Sequence, residues 1–271
     1  MCRFVAYLGK QGKVLGDLIE KPDNSLISQS RQAREGKTGL NADGFGIGWY
    51  DHDINDAPGV YRSVQPAWND HNLRHIASKI KSKCFIGHVR ASTVGDVNIY
   101  NCHPFTHNEF AFIHNGTIQG FEQIRRRVIN MLEDPFFEII EGQTDSEHFF
   151  ATLMMLVSHL SKPYTLDRLA KCMLKTIAMT NELQAGLKEG LFCRLNTVLT
   201  NGKELLVTRY VSYEEESALS LHYTLEENGI VIASEELPTY ATQWVEIPVN
   251  SMVLVGADLK VTTMPLNPWS D

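Results

Sequence analysis

Met1-Cys2-Arg3-Phe4-Val5-Ala6-Tyr7-Leu8 is a run of aromatic and branched residues that reads as a β-strand over 2–8, with a thiol one residue from its start. Gly9 and Gly12 are expected to break that strand. Removal of Met1 would leave Cys2 with a free α-amine, so one residue would carry both a nucleophile and a base. An α-amine titrates near ~8 and a thiol near ~8.5, close enough to exchange a proton at modest cost. The plain alternative is a cysteine packed as a small apolar residue at the head of a strand.

Outward from that strand, composition narrows the classes. The chain has 271 residues, 43% hydrophobic and 21% charged, enough for a sizeable core. With no internal repeat and no low-complexity linker, one domain over 1–271 is expected. A net charge of -7 without a basic block excludes the electrostatic footprint of nucleic-acid binding. Cys2, Cys84, Cys102, Cys172 and Cys193 are scattered, odd in number and free of any CxxC pair, which fits neither a disulfide framework nor a zinc knuckle and suits the cytoplasm. The apolar run at 4–8 is too short for a signal peptide, and no stretch approaches a membrane span, so no membrane partner is expected.

Helical pieces are expected over 15–33, interrupted at Pro22, and strands over 45–50, 59–64, 84–90 and 110–114, with a polar helix over 69–81. Phe121, Ile124, Val128 and Leu132 recur at helical spacing, as do Phe149, Leu153, Leu156 and Leu160, and then Leu166, Leu169, Met173 and Ile177. Short strands follow over 191–200, 204–209, 221–225, 230–234, 243–247 and 252–255, separated by turn signals such as Asn201-Gly202 and Asn228-Gly229. Strands, then helices, then strands with close turns predict an α+β fold of antiparallel sheet with segregated helices.

Several stretches carry possible chemistry. Gly36-Lys37-Thr38 is not a phosphate loop, because that motif needs glycine at 31, which is Arg. Arg90, with Ser92 and Thr93 after it, is either a surface strand end or a fork of donors for a carboxylate. His114-Asn115-Gly116 reads as a strand stopped by an Asn-Gly turn, or as an oxyanion hole built from the Asn115 amide and the Gly116 N–H. Thr144-Asp145-Ser146-Glu147 satisfies a capping box through Thr144 and Glu147, leaving Asp145 free to meet a substrate ammonium group. His103 and His107 have helical spacing, but Pro104 stands between them and no HExxH pattern supports a metal. No cofactor or metal is expected.

In order along the chain, Cys2, Asn41-Ala42-Asp43-Gly44-Phe45-Gly46, Gly87-His88-Val89-Arg90 through Thr93, His103-Pro104, His114-Asn115-Gly116 and Thr144-Asp145-Ser146-Glu147 resemble the class II glutamine amidotransferases, which are N-terminal-nucleophile hydrolases. Asn201-Gly202 to Arg209 and Ile232-Ala233-Ser234-Glu235 resemble the same family, and the stand-alone YafJ-type group fits best. The resemblance implies a four-layer αββα sandwich of two antiparallel sheets flanked by helices. It also implies Cys2 as nucleophile, Asn115 and Gly116 as oxyanion hole, Arg90 and Thr93 as binders of the substrate carboxylate, and Asp145 as partner of its ammonium group. The implied activity is hydrolysis of the γ-amide of glutamine or another small γ-glutamyl substrate through a cysteinyl thioester. Alternatives are an ammonia-donating subunit serving a separate synthase, and, if Met1 is retained, a non-catalytic glutamine-binding module. Ala91 and Val94 stand where many members carry larger residues or a histidine, which implies a wider mouth to the pocket.

Overall fold

Alternate residues of the first strand face different layers, and that division organises the molecule. The computed structural model describes residues 2–35, 39–92, 95–187, 190–213, 216–241 and 243–267. In chain order the elements are β1 (Arg3–Val14), α1 (Gly16–Ile19), α2 (Leu26–Arg31), β2 (Phe45–Trp49), β3 (Gly59–Ser63), α3 (His71–Lys79), β4 (Lys81–Val89), β5 (Phe105–His107) and β6 (Phe110–Ile118). Then come α4 (Phe121–Met131), α5 (Asp134–Phe137), α6 (Asp145–Ser158), α7 (Leu166–Ala185), β7 (Cys193–Thr200), β8 (Leu205–Arg209), β9 (His222–Glu226), β10 (Gly229–Ala233), β11 (Val245–Glu246), β12 (Ser251–Val255) and β13 (Val261–Pro265).

The strands form two antiparallel sheets, ordered β11-β9-β10-β1-β4-β2-β3 and β13-β12-β8-β7-β6-β5. Phe4, Ala6 and Leu8 face the second sheet, where they meet Ile86, Ala111, Ile113, Val198, Ile232 and Val253 in a core between the sheets. Val5 and Tyr7 face outward onto α1, α2 and α3, through residues such as Leu18, Leu26 and Leu73. The outer face of the second sheet presents Phe112, Leu195 and Leu199 to α4, α6 and α7. The layers therefore run helix, sheet, sheet, helix, as the resemblance implies.

Two local expectations are corrected. β1 does not stop at Gly9, which pairs with Gly229, and the Lys10 N–H donates to the Asn228 carbonyl at 2.9 Å. The glycines are absorbed as an irregularity, with the register on β4 shifting between Leu8 and Lys13. Nor does β6 turn at Asn115-Gly116, since those residues pair with Asn196 and Leu195 of β7. A ladder that satisfies successive backbone groups outweighs the local turn preference of the dipeptide. No described helix is long and apolar enough to cross a membrane.

Candidate active site

At one end of the intersheet core the inward-facing rows become polar. Cys2 precedes Phe4 and Ala6, His88 and Arg90 follow Cys84 and Ile86, Asn115 follows Ala111 and Ile113, and Ser234 follows Ile230 and Ile232. Two hydrogen bonds join the sheets here. His88 Nε2 lies 3.2 Å from the His114 carbonyl oxygen, and Asn115 Nδ2 lies 3.5 Å from Ser234 Oγ.

Cys2 is half-buried, with its Sγ 3.4 Å from both the N–H and the carbonyl oxygen of Ala91. Burial pushes its thiol pKa up, against the Ala91 hydrogen bond and the charge of Arg90, which pull it down. A thiol in this seat rests protonated at neutral pH. The neighbouring backbone is pinned: the Ser234 N–H donates to the Phe4 carbonyl at 3.0 Å, and the Phe4 N–H reaches Ser234 Oγ at 3.0 Å. On the opposite face of β1, Arg3 forms a buried ion pair with Glu235 at 2.6 Å. Glu235 also accepts from Asn24 and from the N–H groups of Arg34 and Glu35, so both charges are well satisfied. Met1 lies outside the described residues.

Arg90 is 3% exposed, not the surface residue that one reading of its strand end expects. Its guanidinium donates to the carbonyl oxygens of Asp96 at 3.1 Å and Gly95 at 3.3 Å, and to Ser92 Oγ at 3.1 Å. Asp43 fixes the start of this loop, accepting from the Ser92 N–H at 2.7 Å while its own N–H donates to the Arg90 carbonyl. Thr93 and Val94 fall outside the described residues, as does Gly36-Lys37-Thr38.

Asn115 is buried; among the described residues its Oδ1 has no hydrogen-bond partner and its Nδ2 makes only the long contact to Ser234. At Gly116 a Cβ would collide with the Arg194 carbonyl and the His114 ring, so only glycine fits. Asp145, at the first turn of α6, is also buried. Its Oδ2 accepts from the Ile118 N–H at 2.8 Å and its Oδ1 from the Ser146 N–H at 2.8 Å, and its charge reaches Cys2, raising the thiol pKa further.

Half of the expected capping box forms. Thr144 Oγ1 accepts from the Glu147 N–H at 3.2 Å, but the Glu147 carboxyl bonds the N–H groups of Glu141 at 2.9 Å and Gly142 at 2.8 Å instead of returning to the cap. Burial pushes the Glu147 pKa up to about 7 despite those bonds. His88 and His103 lie with ring centroids 4.1 Å apart, and burial pushes His88 down to about 3 and His103 well below its ordinary range. Both rings are neutral at physiological pH. Among the described residues no three His, Cys, Asp or Glu side chains are grouped to hold a metal.

Sequence reasoning brought Cys2, Arg90, Asn115, Gly116 and Asp145 to attention but gave no role to Asp43, Asn101, Ser234 or Glu235. Their signals were present as polar residues near apolar strands, yet each has a partner more than 40 positions away.

The family described as Glutamine amidotransferases class-II matches residues 15–265. The Saccharomyces cerevisiae protein named Probable glutamine amidotransferase DUG3 is 34% identical over 310 residues, spanning 100% of this chain and 85% of its own. A Gamma-glutamyl-hercynylcysteine sulfoxide hydrolase from Mycolicibacterium smegmatis is 31% identical over 271 residues, spanning 98% of this chain and 100% of its own. Among solved structures, a glutamine aminotransferase class-II domain protein from Silicibacter pomeroyi superposes with a TM-score of 0.72 at 27% identity, covering 98% of this chain and 100% of that one. With the αββα layers, the polar end of the intersheet rows and these relatives together, the chain belongs to the class II glutamine amidotransferases.

Proposed function

We propose that this protein is a γ-glutamyl amide hydrolase, one catalytic domain over 1–271 that cleaves the γ-amide of glutamine or a larger γ-glutamyl compound through a thioester on Cys2. The observation that carries this reading is the placement of a thiol, a buried arginine, an under-used amide donor and a helix-terminal carboxylate at one end of the intersheet core. After Met1 is removed, the α-amine of Cys2 takes the thiol proton, through a water. The thiolate attacks the γ-carboxamide carbon, and as the C–S bond forms the carbonyl electron pair moves onto oxygen. Asn115 Nδ2 and the Gly116 N–H donate to that oxyanion. Collapse expels ammonia or an amine, which leaves with the proton, and water cleaves the thioester to give glutamate and the free thiol. Arg90 and Thr93 hold the substrate carboxylate and Asp145 its ammonium group, so the amide is kept in reach of the sulfur.

The elevated pKa of the buried thiol supports the need for the α-amine base. Hydrolysis rather than ammonia transfer is supported by the likeness, over its whole length, to a relative named as a γ-glutamyl hydrolase. The test combines the intact mass of the purified protein with glutamate release from glutamine, glutathione and simple γ-glutamyl amides. The expected result is a mass lacking Met1, glutamate release from at least one of these, and none from Cys2→Ala at equal folded concentration. Retained Met1 without turnover would instead identify a binding module, and turnover only alongside a co-purifying synthase would identify an ammonia-donating subunit.

A further inference from the structure

The two charged contacts proposed for the substrate head group stand on separate pieces of chain. Arg90 directly follows β4 in the first sheet's layer, whereas Asp145 opens α6, outside the second sheet. Their separation must match the distance between an α-carboxylate and an α-ammonium group on one carbon. One buried side chain, that of Asn101, spans the gap. Asn101, 1% exposed, donates from Nδ2 to the Asp96 carbonyl at 2.8 Å, and that same oxygen accepts from Arg90 Nη1 at 3.1 Å. Its Oδ1 accepts from the Gln143 N–H at 2.8 Å, two residues before Asp145.

Glycines flank the carboxamide on both sides. At Gly95, where φ is +77°, a Cβ would lie 2.9 Å from Asn101 Nδ2. At Gly142 it would lie 2.5 Å from Asn101 Oδ1, 2.7 Å from the Tyr100 carbonyl and 2.9 Å from Glu147 Oε2. Each wall therefore approaches Asn101 more closely than any other residue type would allow. The far wall is held in turn by α6, since Glu147 accepts from the Glu141 and Gly142 N–H groups. Both hydrogen-bonding ends of the amide are used, one on each wall, and a side chain with donor and acceptor at opposite corners is what the span requires.

We infer that Asn101 is a positioning residue that sets the spacing between Arg90 and Asp145 and thereby the fit of the α-amino-acid head group. The inference rests on the proposed function. Asn101 acts through the two loops, so its loss loosens substrate binding more than it slows chemistry at Cys2.

The test is steady-state hydrolysis of a γ-glutamyl amide by the wild type, Asn101→Ala and the near-isosteric Asn101→Asp, which keeps the acceptor for Gln143 and loses the donor to Asp96. The same enzymes are assayed on analogues lacking either the α-amino or the α-carboxylate group. For the complete substrate, KM is expected to rise about tenfold in Asn101→Asp, the order expected for one lost buried hydrogen bond, and by more in Asn101→Ala, which loses both, with kcat within about threefold of wild type. The KM penalty should shrink for either analogue, because a substrate with one charged end does not sense the spacing. An unchanged KM in Asn101→Asp overturns the inference even where Asn101→Ala fails to fold. So does an equal penalty on complete and truncated substrates, or a loss confined to kcat. In those cases the wild type is active and the proposed function stands; a wild type that hydrolyses no γ-glutamyl compound removes the proposed function and the inference together.

Discussion

The two ends of the intersheet core use the same strands and the same alternation, but they do opposite things. At the apolar end Ala6 and Leu8, Cys84 and Ile86, Ala111 and Ile113 fill the space between the sheets with side chains that need no partner. One or two residues further along each row stand Cys2, His88, Arg90, Asn115 and Ser234, polar groups that need specific partners; among the described residues His88 Nδ1 and Asn115 Oδ1 have none. Strand periodicity decides only which side chains enter this space. Position along the row decides whether a side chain consolidates the apolar core or joins the polar end.

Substitutions that respect one end and disturb the other separate the two roles. The largest effect is expected for Asn115→Ala, which removes a proposed oxyanion donor and should lower kcat for glutamate release by about 3 kcal/mol, roughly a hundredfold, with little change in the denaturation midpoint. A large loss of stability with normal kcat would place Asn115 with the core instead. The converse is expected at the apolar end. Ile86→Val, at a fully buried site, should cost about 1 kcal/mol of stability in urea unfolding and leave kcat per folded molecule unchanged.

The smallest effect concerns Glu147, behind the polar end. Its folded pKa of about 7 stands above the model-compound value of 4.5, so between those values the native state holds more proton than the unfolded chain. Stability from this group is complete below about 4.5 and is lost as pH rises through about 7. Glu147→Gln should flatten stability against pH across that window by a fraction of the ~1.4 kcal/mol per pH unit that one full proton carries. An unchanged slope in chemical denaturation would show that the carboxyl is ionised throughout.

Helices were the most legible part of the fold. The spacing of Phe121, Ile124 and Val128 foretells α4 and its buried face, and Pro22 marks the gap between α1 and α2. Asn115-Gly116 and the glycines of β1 misled because their turn chemistry is local while the pairings that override it join residues far apart. The three residues of β5 are too few to display any period. At the site, Cys2, Arg90, Asn115 and Asp145 were readable as chemical types in an order matching a known family. What holds them was not readable: Glu235 meets Arg3 across 232 positions and Ser234 meets Asn115 across 119, and neither separation leaves a mark on the chain.

The pairing of β1 with β10 has a consequence for how such a site comes into being. Chain ends ordinarily fray, but Val5 is matched with Gly87 on one side and with Ala233 on the other, so the segment next to Cys2 is an interior strand of a seven-stranded sheet. Its second partner lies most of the chain length away, and contacts of such separation are entropically slow to close. The setting of Cys2 therefore depends on a pairing that closes across most of the sequence. If Cys2 is the nucleophile proposed above, turnover reports that the pairing of β1 with β10 has formed.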